Sequence, residues 1–267
     1  MKVSVAQLYS DLNVTNNLNK IIRQMREAAS EGSRVVAFPE AAMAMDLNAS
    51  AAQLQALANE RTGDFLGEIG VVAKALHLDV FVGVYEATDE SRPSNDIVHV
   101  TCQGTVAGRY EKLHLYDAFG FKESDKVRPG TPKPDGAELY QPEIDGLKFG
   151  LMNCYDLRFP ELARLYVQRG ADVLVYSAGW VAGNHKEMHW STLLQARAIE
   201  NTCYVMASDQ PPSRSIGLSR TIDPLGLVLA GVATTEGVAT TDITRERLDE
   251  AREALPSLRH RRYRVFA

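Results

Sequence analysis

Along this chain, short runs of β-branched and aromatic residues alternate with longer segments of helical period. Residues 3–6, 34–38 and 80–85 read as strands, and 14–30 and roughly 51–76 read as the helices between them. Leu18, Ile21, Ile22, Met25 and Ala29 share one face of the first helix, which gives it a side to bury. The order resumes with a strand at 147–153, a helix at 160–169, a strand at 173–176, a helix near 187–201 and a strand at 203–207. Two further strands, 219–222 and 227–230, are joined by the turn Asp223-Pro224-Leu225-Gly226. Strand–helix–strand order in both halves predicts an α/β fold of two sheets, each covered by helices on one face. Packed sheet to sheet, they form a four-layer α-β-β-α sandwich. The longest irregular stretch, 116–141, is rich in Gly and Pro and is expected near a functional site, because long loops in compact domains are usually functional.

The 267 residues are 45% apolar and 24% charged, enough to bury a large core as one domain spanning 1–267. No apolar run approaches the roughly 18–20 residues of a membrane span, and the start MKVSVAQLYS lacks a basic region followed by an apolar signal core. The expectation is a cytoplasmic protein with no membrane partner. A net charge of −5 argues against a nucleic-acid partner, since phosphate binding needs clustered Lys and Arg. The one basic cluster, 259–264, reads as a solvated or interface-facing tail. Cys102, Cys154 and Cys203 show neither CxxC nor Cys/His ligand spacing, so neither a disulfide scaffold nor a zinc site is indicated.

Cys154 ends an apolar strand just before a helix that opens at Pro160. Such a turn exposes reactive groups, and its free backbone N–H groups, that of Tyr155 among them, can hold an oxyanion. A helix N-terminus also favours thiolate over thiol. A free thiol has a pKa of about 8.5 and needs a base to attack at neutral pH. Cys102 and Cys203, inside β-like runs, read as small buried hydrophobes. Two other strand ends carry ionisable groups: Glu40 after RVVAFP, and Lys112, His114, Asp117 and Glu123 after a strand around 98–106. Glu40, Lys112 and Cys154, each at the C-terminal end of a strand, would share one edge of the sheets. None of the six histidines is marked out as a partner for the thiol. His185 and His189 are spaced i, i+4, but an HExxH site needs Glu directly after the first His, and Lys186 stands there. No metal and no cofactor is called for.

With FPE at 38–40, EKLHLYD around Lys112 and NCYDLRFPELAR around Cys154, nearly the whole chain resembles the nitrilase superfamily of carbon–nitrogen hydrolases, in its Nit-type, omega-amidase-like branch. The resemblance implies Glu40 as general base, Lys112 as oxyanion stabiliser and Cys154 as nucleophile. Glu123 best matches the family's additional glutamate and would hold Lys112 or the substrate amide in register. The same resemblance implies a pocket lined by the loop that begins at Trp180 and a homodimer, or a higher homo-oligomer, built through the helix near Trp190. The implied activity is hydrolysis of a small carboxylate-bearing ω-amide, of the deaminated glutathione or α-keto-acid monoamide type, to acid and ammonia through a Cys thioester. Loop position marks Trp180, Arg128, His185 and Lys186 as substrate-binding candidates, the last three as cationic partners for the carboxylate. Asp156, Arg158 and Glu161 are assigned to ion pairs that brace the turn after Cys154. An N-carbamoyl hydrolase using the same triad stays open. So does a nitrilase, although the chain ends at Ala267 without the long extension of filament-forming nitrilases. A non-catalytic binding scaffold is the alternative of a different class.

Overall fold

A computed structural model describes residues 1–263, 265 and 266. Arg264 of the basic cluster lies outside the described residues. In chain order the first half contains β1 (Lys2–Gln7), α1 (Val14–Ser30), β2 (Val35–Ala37), α2 (Ala51–Leu76), β3 (Asp79–Glu86), β4 (Ser94–Val100) and β5 (Val106–Glu111). A hairpin of β6 (Asp117–Ala118) and β7 (Phe121–Lys122) leads to β8 (Glu143–Ile144), β9 (Leu147–Asn153), α3 (Pro160–Gln168), β10 (Val173–Ser177) and α4 (Lys186–Asn201). The chain continues through β11 (Tyr204–Ser208), β12 (Arg220–Ile222), β13 (Val228–Gly231), β14 (Gly237–Asp242), α5 (Arg245–Ala254) and α6 (Ser257–His260).

Two six-stranded sheets result, ordered β14-β1-β2-β3-β4-β5 and β13-β12-β11-β10-β9-β8. Each has a parallel centre, β1-β2-β3 and β9-β10-β11, flanked by antiparallel strands. Alternation within the strands decides which face each residue serves. Val36, Val80, Val82 and Val98 pack with Ile21, Met25, Phe65 and Ile69 of α1 and α2, while Val35, Phe81, Ile97 and Tyr110 join Phe149 and Leu151 of the other sheet. Helices α3 and α4 cover the second sheet, and the sheets meet where β1 and β4 face β11 and β9. This is the α-β-β-α sandwich that the pattern predicts.

Three differences matter. Residues 98–106 are not one strand: β4 and β5 pair antiparallel around the turn at 101–105. Lys112 therefore follows an edge strand, yet β5 runs parallel to β3 after two reversals, so its end still reaches the edge where β2 delivers Glu40. The last strand, β14, returns to pair with β1, Lys2 opposite Asp242, and so joins the two ends of the chain in one sheet. The stretch 116–141 divides: Tyr116, Phe121, Glu123, Lys126 and Val127 border the cleft described below, whereas Arg128 onward turns into a separate groove beside β5. No helix among the described residues is long and apolar enough to cross a membrane.

The segment after β2 passes directly over β3 at Gly83. A Cβ there would stand 2.5 Å from Pro39 O, 2.5 Å from Ala41 N and 2.8 Å from the Glu40 carbonyl carbon. Gly83→Ala is therefore expected to cost about 1–3 kcal/mol, as overpacking does. Thermal denaturation should show the midpoint fall by about 2–4 °C per kcal/mol lost. An unchanged midpoint would mean that this contact relaxes freely.

Candidate active site

Cys154 follows β9 and opens a short 3₁₀ turn, Cys154–Arg158, before α3. Its φ of +47° is left-handed, which is rare and strained for a residue bearing a side chain. Asp156 holds this elbow. Its carboxylate accepts from the Asn153 N–H (2.8 Å), the Tyr110 hydroxyl (2.7 Å) and the His114 N–H (3.2 Å), and His114 Nδ1 lies 2.7 Å away. The first N–H groups of a helical turn have no acceptor within it, so the Tyr155 N–H is one such donor beside the thiol.

Glu40, Lys112 and Glu123 come together opposite Cys154, all buried. Lys112 Nζ donates to Glu40 Oε1 (2.6 Å) and to both Glu123 oxygens (2.9 and 2.8 Å), which uses its three protons. Glu40 Oε2 accepts from the Gly179 N–H (2.9 Å), and Glu123 Oε2 from the Tyr116 N–H (2.6 Å). Asn95, at the start of β4, donates from Nδ2 to Glu40 (2.8 Å) and Glu123 (3.1 Å).

These contacts set the protonation states. Burial alone would raise the pKa of Glu40, but the Lys112 charge and the hydrogen bonds from Lys112, Cys154 and Gly179 hold it below the ordinary carboxylate value. Burial would likewise lower Lys112, yet the charges of Glu123 and Glu40 keep its pKa well above that of a free lysine. Glu123 lacks comparable compensation, and burial together with repulsion from Glu40 outweighs Lys112 and raises it. Burial, then the Glu40 charge and hydrogen bond, push the Cys154 thiol well above its usual value despite Lys112. The resting site thus pairs a neutral thiol with an ionised Glu40. The expectation that a helix start favours thiolate here is corrected, because burial and Glu40 outweigh a few N–H dipoles.

The cleft over these groups is bordered by Tyr116, Tyr155, Arg158, Trp180 and Lys186, with a free volume of about 60 Å³. Of the candidate substrate-binding residues, Trp180 and Lys186 line it; Arg128 and His185 do not. Arg128 pairs with Glu111 (2.8 Å) on the groove beside β5, and His185 is exposed at the start of α4. Arg158 is also placed differently from its assigned bracing role. It lies over the Trp180 ring (4.8 Å) in the cleft wall, while Asp156 braces the elbow without it. Lys186 Nζ donates to the Tyr116 hydroxyl (3.0 Å), and its pKa is lowered by burial and then by the Arg158 charge. Among the described residues, no carboxylate forms a salt bridge with either cation. Asn95 was missed because an Asn early in a strand carries no signal of its own; only the reversal of β4 brings it to this edge. Among the described residues no group of three or more His, Cys, Asp or Glu side chains is arranged to hold a metal ion.

Comparison with known proteins bears on the family and the fold. The family model for carbon-nitrogen hydrolases matches residues 2–253. A deaminated glutathione amidase of Escherichia coli O157:H7 is 38% identical over 244 residues, covering 90% of this chain and 88% of that one. An omega-amidase of Homo sapiens is 28% identical over 276 residues, 100% of this chain and 96% of the relative. The crystal structure of the C. elegans NitFhit protein superposes with a TM-score of 0.88 at 28% identity, and the alignment takes in 99% of this chain but 66% of that longer one. Sequence and fold together make the chain a member of the carbon-nitrogen hydrolase family.

Proposed function

We propose that residues 1–267 act as one thiol-dependent amidase that hydrolyses a small, carboxylate-bearing amide, and that Glu40, Lys112, Cys154 and Glu123 carry the chemistry. The observation that carries this reading is the cleft itself. A neutral thiol faces an ionised carboxylate and a buried ammonium, below a wall holding two cations, Arg158 and Lys186, with no carboxylate partner among the described residues. Two adjacent cations on aromatic faces, lacking a counter-ion, suit a substrate carboxylate. The names of the E. coli and human relatives, a deaminated glutathione amidase and an omega-amidase, support the same substrate class.

The mechanism follows from the protonation states. Because the thiol is not ionised at rest, its proton moves to Glu40 as Sγ attacks the amide carbon. Lys112 and the Tyr155 N–H receive the developing oxyanion, donors of a kind worth about 10²–10³ in rate each. Lys112 must loosen one carboxylate contact to do so, and its two hydrogen bonds to Glu123 keep it charged and aligned as that happens. Glu40 returns its proton to the nitrogen, the C–N bond breaks and a thioester remains. Glu40 then takes a proton from water as the water attacks, the C–S bond breaks, and that proton passes from Glu40 to sulfur as the acid leaves.

Three free cysteines support a cytoplasmic setting. Exposed Met188, Ile199, Leu225 and Leu227, on α4 and the β12–β13 turn, support a homodimer.

Amine or ammonia release from a panel of ω-amides, ureido acids and nitriles tests the reading. Carboxylate-bearing amides should turn over, and Cys154→Ala should reduce the rate to background. Arg158→Met should raise KM about 10- to 100-fold with kcat less affected, from the loss of a charged hydrogen bond worth about 1.5–3 kcal/mol. Preference for ureido acids or nitriles, or turnover that survives Cys154→Ala, would contradict it. Asp156→Asn should lower kcat by releasing the elbow, and a rate equal to wild type would remove Asp156 from that role.

A further inference from the structure

Asn95 is joined to the catalytic cluster by its backbone and its side chain at once. Its carbonyl accepts from the Lys112 N–H (3.0 Å), which ties β4 to the point where the ammonium leaves the chain. Its Nδ2 gives one proton to Glu40 Oε1 (2.8 Å) and the other to Glu123 Oε1 (3.1 Å). Lys112 Nζ donates to the same two oxygens, at 2.6 and 2.9 Å. The two carboxylates are thus bridged twice, once by an ammonium and once by a neutral amide. Asn95 is 2% exposed, borders the catalytic cleft and shares the inter-sheet face of β4 with Ile97, where packing alone calls for another apolar side chain.

The charges around it show what such an amide can do. With Glu40 and Glu123 both ionised, one ammonium leaves one buried negative charge to be stabilised by neutral N–H donors. Gly179 and Tyr116 each give a backbone N–H to one carboxylate, whereas Asn95 reaches both. The ionisable groups that act on Glu40 are Lys112 after β5, Glu123 beside the hairpin and Cys154 after β9, with Tyr85 on β3 and Asp209 after β11. When Lys112 turns toward the oxyanion it releases Glu40, and the Asn95 amide is the bridge that remains between the two carboxylates.

We infer that Asn95 is a positioning residue of the reaction: its amide holds Glu40 in place as an ionised base, and keeps Glu123 in register with Lys112 while the ammonium moves from Glu40 to the oxyanion. This inference rests on the amidase reading above. Loss of the amide takes a donor from ionised Glu40, which favours the protonated form, so the base is lost at a higher pH. It also frees one side of Glu123. Both effects fall on the chemical step, because the bonds of Asn95 go to the reacting groups and not to Arg158 or Lys186.

The test follows ammonia release from glutaramate, from alkaline to mildly acidic pH, with wild type, Asn95→Ala, Asn95→Asp and Ile97→Val. The last is a packing control on the same face of β4, and the thermal midpoint of each is measured alongside. Asn95→Ala should lower kcat about 10- to 100-fold, the scale of a hydrogen bond to a charged group, with KM little changed. Its rate relative to wild type should fall further as the pH is lowered. Asn95→Asp has the same shape but offers a donor only when protonated, so its rate relative to wild type should rise as the pH is lowered. Ile97→Val should lower the midpoint and keep the pH dependence of wild type. Opposite slopes for the two Asn95 variants do not arise from loosened packing. Wild-type kcat in Asn95→Ala, or a pH dependence parallel to wild type in both variants, would overturn the inference and leave the amidase reading intact. If wild type turns over no amide of the panel, that reading fails, and alkylation of Cys154 by iodoacetamide, which draws on the same base, becomes the readout. Opposite slopes there would uphold the role of Asn95, and parallel ones would overturn it as well.

Discussion

The buried Lys112 ammonium, held between two carboxylates, is the interaction on which the rest of the site depends. An ion sequestered from water is expensive unless its charge is matched and its hydrogen bonds are complete. Here Lys112 has three acceptors, and the carboxylates take further donors from Asn95 and from the Gly179 and Tyr116 N–H groups. Each donor comes from a different element, so the cluster ties β2, β4, β5, the hairpin region and the loop after β10 to one point. Removing either carboxylate would take an acceptor from both the buried Lys112 ammonium and the Asn95 amide.

The same cluster decides what kind of nucleophile Cys154 can be. Glu40 is ionised because Lys112 stabilises it, and its charge in turn keeps the proton on sulfur. A thiol poised in this way needs its base during attack rather than before it, which keeps it unreactive toward oxidants and stray electrophiles. The left-handed backbone at Cys154 and the Asp156 brace hold the sulfur at the edge where the sheets converge. Strain at the elbow and burial of the ions are both carried by the packing of two large sheets.

Most of the fold was legible because long periodic segments report their burial directly. The amphipathic stripe of α1, the mostly apolar run of β9 and the helix opening at Pro160 all formed where the pattern put them. The strand around 98–106 failed because Thr101–Thr105, a tight turn, separates two short strands of similar composition. Glu40 and Cys154 follow strands that could be placed, while Lys112 meets them because β5, though missed, runs parallel to β3 and ends at the same edge, with Glu123 close behind it on the hairpin. The cationic partners were not legible. Arg128 and His185 were chosen by loop position, yet a side chain's direction depends on what it packs against: Glu111 draws Arg128 away, while Trp180 gives Arg158 a face to lie on inside the cleft. Asn95 depends on strand reversal, which no local signal encodes.

The most direct measurement is a titration of the Cys154 thiol by its ultraviolet thiolate absorbance, taken as the difference from Cys154→Ala, in wild type and in Glu40→Gln. The account predicts a thiol in wild type at neutral pH that ionises only far into the alkaline range. In Glu40→Gln, where one negative charge is gone and Lys112 remains, the pKa should fall. A wild-type thiolate already present at neutral pH, or a pKa that does not fall in Glu40→Gln, would contradict the claim that burial and the Glu40 charge hold the proton on sulfur until substrate arrives.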